Sequence, residues 1–275
     1  MAPTTQSEMR KLVELAKRYT DLSDRYLASS INPIRDPNDK ENPSDNEHAA
    51  SHYMSVGYSA MRITVGALLG NMREPPKSIL DFPCGSGRVT RHLRAMFPNA
   101  KIGACDLYRS HIDFCVEHFD AEPIPSKENL DDLHIGSDWD LVFCGSLLTH
   151  LPAQLFKATM RFIIRSLSPT GIAIVTLEGR HGEHIQDYKW KMIGDDLFNI
   201  ARESFHTTGF GFVDYEHDFK KNFPDQQRYG IALTRPNWAI KYLEHFFDIR
   251  ILGLTERAWD DHQDIVVFGK PGVNA

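Results

Sequence analysis

Two spacings of apolar residues take turns along this chain. Residues 7–28 place Leu12, Leu15, Ala16 and Tyr19 at helical intervals, and a second helical stretch covers roughly 49–72. Between them INPIRDPNDKENPSDNEH (31–48) is rich in Pro, Asn and Asp and reads as a mobile loop. From Ser78 onward, short apolar runs alternate with helical ones. SILDF (78–82), KIGACDL (101–107), WDLVFCGS (139–146) and GIAIVTLEG (171–179) read as strands. The helices between them run to about Met96, around 109–119 and over 152–167, where Ser168-Pro169-Thr170-Gly171 ends the last one. A weaker strand near Ala121–Ile124 is interrupted by Pro123 and followed by Pro125. Such alternation predicts a doubly wound parallel sheet with helices on both faces. The end of the chain differs. After a helix over 236–246, DIRILGLTER (248–257) and DIVVFGK (264–270) are joined too closely for a parallel crossover and must pair antiparallel. Residues 180–235 are aromatic-rich and irregular, and read as an insertion over one end of the sheet.

Composition narrows the picture only a little. A chain of 275 residues, 41% hydrophobic and 25% charged, has the makeup of an ordinary globular protein. It is long enough to bury a core without disulfides or a structural metal. The net charge of −6 lacks the basic footprint of a nucleic-acid binder, so no nucleic-acid partner is expected. No apolar run reaches the length of a membrane span. The N-terminus, MAPTTQSEMRKLVELAKRY, lacks the apolar core of a signal peptide. Cys84, Cys105, Cys115 and Cys144 form no CxxC pair, which suits reduced thiols in a cytoplasmic protein.

The chemistry concentrates in SILDFPCGSGRVTRHLR (78–94), a strand, a glycine loop and a helix start. In an open parallel sheet ligands sit beyond the carboxyl ends of the strands, where Asp81, Asp106 and Gly145–Ser146 fall. A dinucleotide fingerprint needs a third glycine. Here Gly85-Ser86-Gly87 is followed by Arg88-Val89-Thr90, and Asp81 would repel a pyrophosphate. No GK[ST] follows, which removes the phosphate loop of nucleotide triphosphatases. S-adenosylmethionine (SAM) fits better. It has no phosphates, its ammonium suits an acid near the loop, and its ribose hydroxyls suit Asp106 at the end of the second strand.

On ILDFPCGSGRVTRHL, ACDL, WDLVFCGSLLTHL, LSPTGIAIVTLEG and the final strand pair, the chain resembles class I SAM-dependent methyltransferases. The resemblance implies a Rossmann-like, mostly parallel seven-stranded sheet with one antiparallel strand near the C-terminus. It implies a methyltransferase domain over 76–275, preceded by a helical extension over 1–75, with 180–235 covering the substrate. Carried over, Asp81, Phe82, Cys84, Gly85, Gly87 and Arg88 line the cofactor, Asp106 binds the ribose and Leu107 packs near the adenine. Gly145 and Ser146 complete the rim, and Tyr53 or Tyr58 closes on the methionyl end with Arg62 or Arg88 balancing its carboxylate. Ser126 to Leu130 falls where the family places its adenine loop. Further stretches, GFGFVDY, YGIALTRPNW and WDDHQD, resemble a subgroup associated with glycan and glycolipid assembly, which implies a sugar hydroxyl as acceptor.

For a hydroxyl acceptor a general base is useful, and His is the usual choice near neutral pH. The candidates are His150, His181 beside Glu178 and Arg180, and His262 after Asp260–Asp261. Each has a structural alternative: His150 as a helix cap, His181 as a surface residue, and the 260–262 turn as a solvated loop. Adjacent strand residues face opposite ways, so Asp261 orients His262 only if the turn is tight. No ligand spacing such as HExxH is present, so no metal is expected. The aromatics Phe210, Phe212, Tyr215, Phe219, Phe223 and Tyr229 suit either stacking on the acceptor or a small core of the insertion. Competing functions are an amine or carboxylate acceptor, a noncatalytic binding subunit and, more distantly, an NAD-linked oxidoreductase. The expected partner is a small-molecule or glycan acceptor, and the oligomeric state is not readable.

Overall fold

A computed structural model describes residues 5–39, 47–216 and 228–271. Seven strands form one sheet: β1 (Ser78–Asp81), β2 (Lys101–Asp106), β3 (Glu122–Pro125), β4 (Trp139–Cys144), β5 (Leu167–Leu177), β8 (Arg250–Trp259) and β9 (Gln263–Gly269). Their order across the sheet is β3-β2-β1-β4-β5-β9-β8, and β6 (Phe210–Asp214) pairs separately with β7 (Gly230–Thr234). This is the Rossmann-like, mostly parallel arrangement that the strand–helix alternation predicts. The chain divides into two compact units. One holds Met1–Pro125 with Trp139–Leu141, the other Ser126–Asp138 with Val142–Ala275.

In the first unit β1 pairs parallel with β2, and β2 with β3, so that Asp81 lies opposite Ala104 and Asp106 opposite Pro125. The prolines that weaken β3 as a strand are tolerated because β3 is at the sheet's edge, where a missing N–H breaks no ladder. Ile79, Leu80, Ala104 and Cys105 are fully buried. The helices α1 (Thr5–Ala28), α2 (Glu47–Gly70) and α3 (Thr90–Met96) pack on one another, and α4 (Arg109–Phe119) packs on β2 and β3. Tyr53, Met61 and Leu68 are the buried stripe of α2.

Residues 31–39 are tied to α3 and α4: Arg91 donates to the Asn32 and Ile34 carbonyls, and the Asn32 amide donates to the His118 carbonyl. Composition reveals the missing apolar residues of this stretch but not its backbone partners. Residues 40–46 lie outside the described residues.

In the second unit β9 runs antiparallel to both β5 and β8, and the short 260–262 connection requires the second of these pairings. β5 starts at Leu167, so Ser168, Pro169 and Thr170 lie within the strand rather than in a turn. The helix α5 (Ala153–Ser166) buries Phe156, Phe162 and Ile163, each side chain worth about 1.5–3 kcal/mol of transfer free energy. The insertion is α6 (Arg180–Ile185), α7 (Asp195–Thr208), β6 and β7, followed by α8 (Pro236–Leu243). It hangs from the end of β5, where the Thr234 amide donates to the Glu178 carbonyl. Among the described residues no helix is long and apolar enough to cross a membrane.

Candidate functional site

The first unit carries the glycine loop. After β1 the chain passes through Gly85 at φ 50° and Gly87 at φ 79°, a left-handed region that glycine enters without the cost a side chain imposes. The two glycines serve different ends. A Cβ on Gly87 would come within 2.2 Å of the Phe119 ring, so Gly87 allows the loop to pack on α4. A Cβ on Gly85 would meet nothing within 4 Å, so open space lies beside the backbone there. That space is what a ligand following the loop requires.

Asp106 frames it. The Gly85 N–H donates to Asp106 Oδ2 at 2.9 Å and the Tyr108 N–H to Oδ1 at 2.9 Å. A carboxylate has about four lone-pair positions, so two donors leave capacity for a pair of hydroxyls. His111, on the first turn of α4, brings Nδ1 to 3.3 Å from Asp106 Oδ1. Burial alone would lower the imidazole's pKa, but the hydrogen bond and charge of Asp106, with Asp39 and Asp36, hold it above the ordinary value. Sequence reading passed over His111. Its only signal is its place in the first turn after Asp106.

The other cofactor candidates divide. Asp81 is 1% exposed and lies under the loop, where Thr90 Oγ1 donates to its Oδ2 at 2.6 Å. It therefore anchors the start of α3. Burial pushes its pKa up to about 7, with Asp106 adding to the rise and Thr90 opposing it. Phe82 and Cys84 are buried as well. Burial, then the neighbouring Cys115, raises the Cys84 thiol, and the Cys84 N–H donates to the Cys105 carbonyl. Arg88 and Leu107 are half-buried, and the Arg88 guanidinium stands 5.8 Å from the Tyr53 ring centre. Tyr53 is buried, with its hydroxyl donating to Asp39 Oδ2 at 2.8 Å. Tyr58 packs edge-on against Tyr26 and His92 instead.

Asp81 yields a stability prediction. The folded chain holds a proton on it up to about pH 7, whereas an unfolded aspartate releases it near 3.8. Stability from this group is thus fully present below pH 3.8 and falls as pH rises toward 7. The loss is on the order of 4 kcal/mol at most. Asp81→Asn retains an acceptor for Thr90 and lacks the charge. Urea melts at pH 5 and pH 8 are expected to show wild type losing stability relative to Asp81→Asn. Parallel behaviour of the two would contradict it.

The second unit carries Gly145, Ser146 and the three histidines. Ser146 adopts φ 56°, unusual for a residue with a side chain, and is held there. Its N–H donates to Thr176 Oγ1 at 2.8 Å, and its Oγ accepts from Gln263 Nε2 at 3.0 Å. A Cβ on Gly145 would strike Trp259 at 2.7 Å. His150 Nδ1 lies 2.9 Å from the Gly230 carbonyl and 3.1 Å from the Tyr215 hydroxyl, and its ring lies against Tyr229 with centroids 4.8 Å apart. These contacts fasten the insertion's two strands to the segment after β4.

His262 differs. Its Nε2 lies 3.1 and 3.2 Å from the two carboxylate oxygens of Glu178, which is 4% exposed. The Leu177↔Asp264 pairing of β5 with β9 brings these distant residues together. Asp261 is not the orienting acid: both Asp260 and Asp261 have positive φ, and Asp261 Oδ2 accepts from Arg257 Nη2 at 2.7 Å. His181 opens α6, its pKa lowered by burial and then by the Arg257 charge. Among the described residues no hydrogen bond orients it. Arg180 pairs with Glu256 on the surface. Asp264 is buried, its Oδ1 accepting from the Arg257 N–H, and burial raises its pKa to about 6.

The 126–130 loop continues into a short turn held by α5. The Arg165 guanidinium donates to the Leu130 and Leu133 carbonyls, and Arg161 pairs with Asp131 at 2.6 Å. Of the insertion's aromatics, Phe210 stacks on Trp238 and Tyr215 and Tyr229 are buried beside His150. Phe219 and Phe223 lie outside the described residues. Among the described residues no three His, Cys, Asp or Glu side chains could hold a metal ion.

Residues 80–173 match a family model described as a methyltransferase domain, a span that includes the glycine loop and Asp106. No curated protein matches the chain in sequence. Among solved structures, a SAM-dependent methyltransferase from Clostridium acetobutylicum superposes with a TM-score of 0.52 at 14% identity, covering 80% of this chain and 92% of that one. An O-methyltransferase family protein from Burkholderia thailandensis gives 0.52 at 11% identity, covering 96% and 72%. The 1,6-didemethyltoxoflavin-N1-methyltransferase of the same organism, solved with its substrate and S-adenosylhomocysteine, gives 0.51 at 11% identity, covering 98% and 91%. At such identities the likeness is one of fold.

Proposed function

We propose that this chain is a SAM-dependent methyltransferase, with SAM as its cofactor, and that the group it methylates is a hydroxyl of a sugar or other small molecule. The observation that carries the choice is the Glu178–His262 pair. An amine acceptor deprotonated in solution needs no base, whereas a hydroxyl gains from one. Glu178 lies against His262 Nε2, so its carboxylate stabilises the imidazolium that forms as His262 takes the hydroxyl proton. Burial of Glu178 strengthens that interaction, because it is poorly screened there.

When bound, SAM supplies an electrophilic methyl on a sulfonium, already a good leaving group. What remains for the chain is to hold and align, a proximity effect. Asp106 accepts from the ribose hydroxyls, the Gly85 backbone lines the cofactor, and Arg88 balances the methionyl carboxylate. Asp81 supports the loop from below through Thr90. The resemblance to glycan-associated methyltransferases favours a sugar among the hydroxyl acceptors, and four buried thiols without a disulfide suit work in the cytoplasm.

The experiment is transfer of a labelled methyl group from SAM to matched panels of sugars, small alcohols, phenols and amines, with the product bond identified by mass spectrometry. An O-methyl product whose formation depends on His262 is expected. Turnover confined to amines and indifferent to His262 would replace this reading with N-methylation.

A further inference from the structure

The 31–39 segment sits on the glycine loop through a set of contacts that packing alone does not require. Arg91, 2% exposed on α3, is their centre. Its Nε donates to the Gly87 carbonyl at 3.0 Å, and Nη1 donates to the Asn32 and Ile34 carbonyls at 3.0 and 2.7 Å. Its Nη2 lies 3.4 Å from the Ser86 carbonyl and 3.4 Å from the Tyr53 hydroxyl. One guanidinium therefore grips both the loop and the segment. The segment returns a contact of its own. Ser86, between the two left-handed glycines, donates its Oγ–H to Asp36 Oδ2 at 2.9 Å. Asp36 Oδ1 accepts from the Asn38 N–H at 2.8 Å, which closes the turn that carries Asp39 to Tyr53. Asp36 is 8% exposed, and both its oxygens are engaged.

We propose that Asp36 is a positioning residue for the cofactor: it latches the 31–39 segment to Ser86 and so fixes the glycine loop in the shape that receives SAM. The proposal rests on the reading of this loop as the SAM site. Ser86 lies between two residues whose φ values few backbones adopt, and a loop with two such glycines has many alternatives in the absence of a tether. Fixing it beforehand lowers the ordering cost of binding. Linkage then works both ways: bound SAM holds the latch closed as much as the latch favours SAM.

The test is calorimetric titration of SAM into wild type, Asp36→Ala, Ser86→Ala, the double variant and Asp36→Asn. Each alanine variant is expected to bind SAM about 5- to 15-fold more weakly, the size of one lost hydrogen bond. The double variant is expected to bind no more weakly than Asp36→Ala, because the Ser86 contact is already lost in that variant. Asp36→Asn keeps an acceptor for Ser86 Oγ and is expected to recover most of the affinity. In parallel, SAM is expected to slow tryptic cleavage after Arg35 in wild type and not in Asp36→Ala. Should Asp36→Ala fold poorly, Ser86→Ala carries the test alone. Wild-type affinity in the variants, or a loss of thermal stability without a loss of affinity, overturns the latch alone. A wild type that binds no SAM overturns the cofactor reading of the loop, and the latch with it.

Discussion

His262→Ala is expected to lower turnover by about 10²–10⁴-fold, the usual contribution of a general base, and to leave SAM affinity unchanged. In barrier terms that is about 2.7–5.5 kcal/mol. The reasoning is that a hydroxyl attacks the sulfonium methyl as it loses its proton, and among the three candidate histidines His262 is the one paired with a buried carboxylate. Glu178→Gln keeps a hydrogen-bond acceptor but not the charge, so it is expected to cost less than His262→Ala and more than nothing. His150→Ala and His181→Ala are the comparators. The first loosens the insertion where it meets Tyr215 and Gly230, so its effect is expected in acceptor KM and thermal stability. The second removes an imidazole that no hydrogen bond orients among the described residues and is expected to leave turnover near wild type. Steady-state kinetics with the acceptor found by screening checks all four. A full loss in His181→Ala with wild-type turnover in His262→Ala would move the base to α6.

Asp106→Ala is expected to weaken SAM binding by roughly 10- to 150-fold, the equivalent of losing one charge-assisted contact worth about 1.5–3 kcal/mol. The loss should be the same for S-adenosylhomocysteine, because the ribose is common to both. Asp106 also holds the Gly85 and Tyr108 amides, each on a separate oxygen, so the titration is accompanied by thermal melts of the same variant. If the ribose contact dominates, affinity for both adenosyl ligands falls while the variant remains folded at the temperature of the titration. Unchanged affinity in Asp106→Ala, measured by calorimetry, would remove the ribose assignment.

What the sequence made legible follows from how local each signal is. The loop from Asp81 to Arg88, the acid ending β2 and the closing strand pair are each written within a few residues, and the antiparallel pairing of the last two strands follows from their short connection. The Glu178–His262 pair was not legible. Its members are 84 positions apart and meet only through the register of β5 on β9, which no local pattern states. Sequence proximity favoured Asp261, but the turn gives consecutive left-handed residues and sends that carboxylate to Arg257. The contacts of the 31–39 segment were not legible for a related reason. Proline and aspartate mark a stretch without a hydrophobic face, yet its backbone carbonyls are satisfied by Arg91, a residue whose burial on a short helix carries no signature of its own. Asp81 shows the reverse case: the motif identifies the position, and only burial reveals that the carboxylate supports the loop from below.

The central claim is that the loop after β1 is built for an adenosyl sulfonium ligand, and parallel calorimetric titrations with SAM, S-adenosylhomocysteine and NAD test it most directly. Saturable binding of both adenosyl ligands with none of NAD is the result this account predicts. Binding of NAD, or of none of the three, would contradict it.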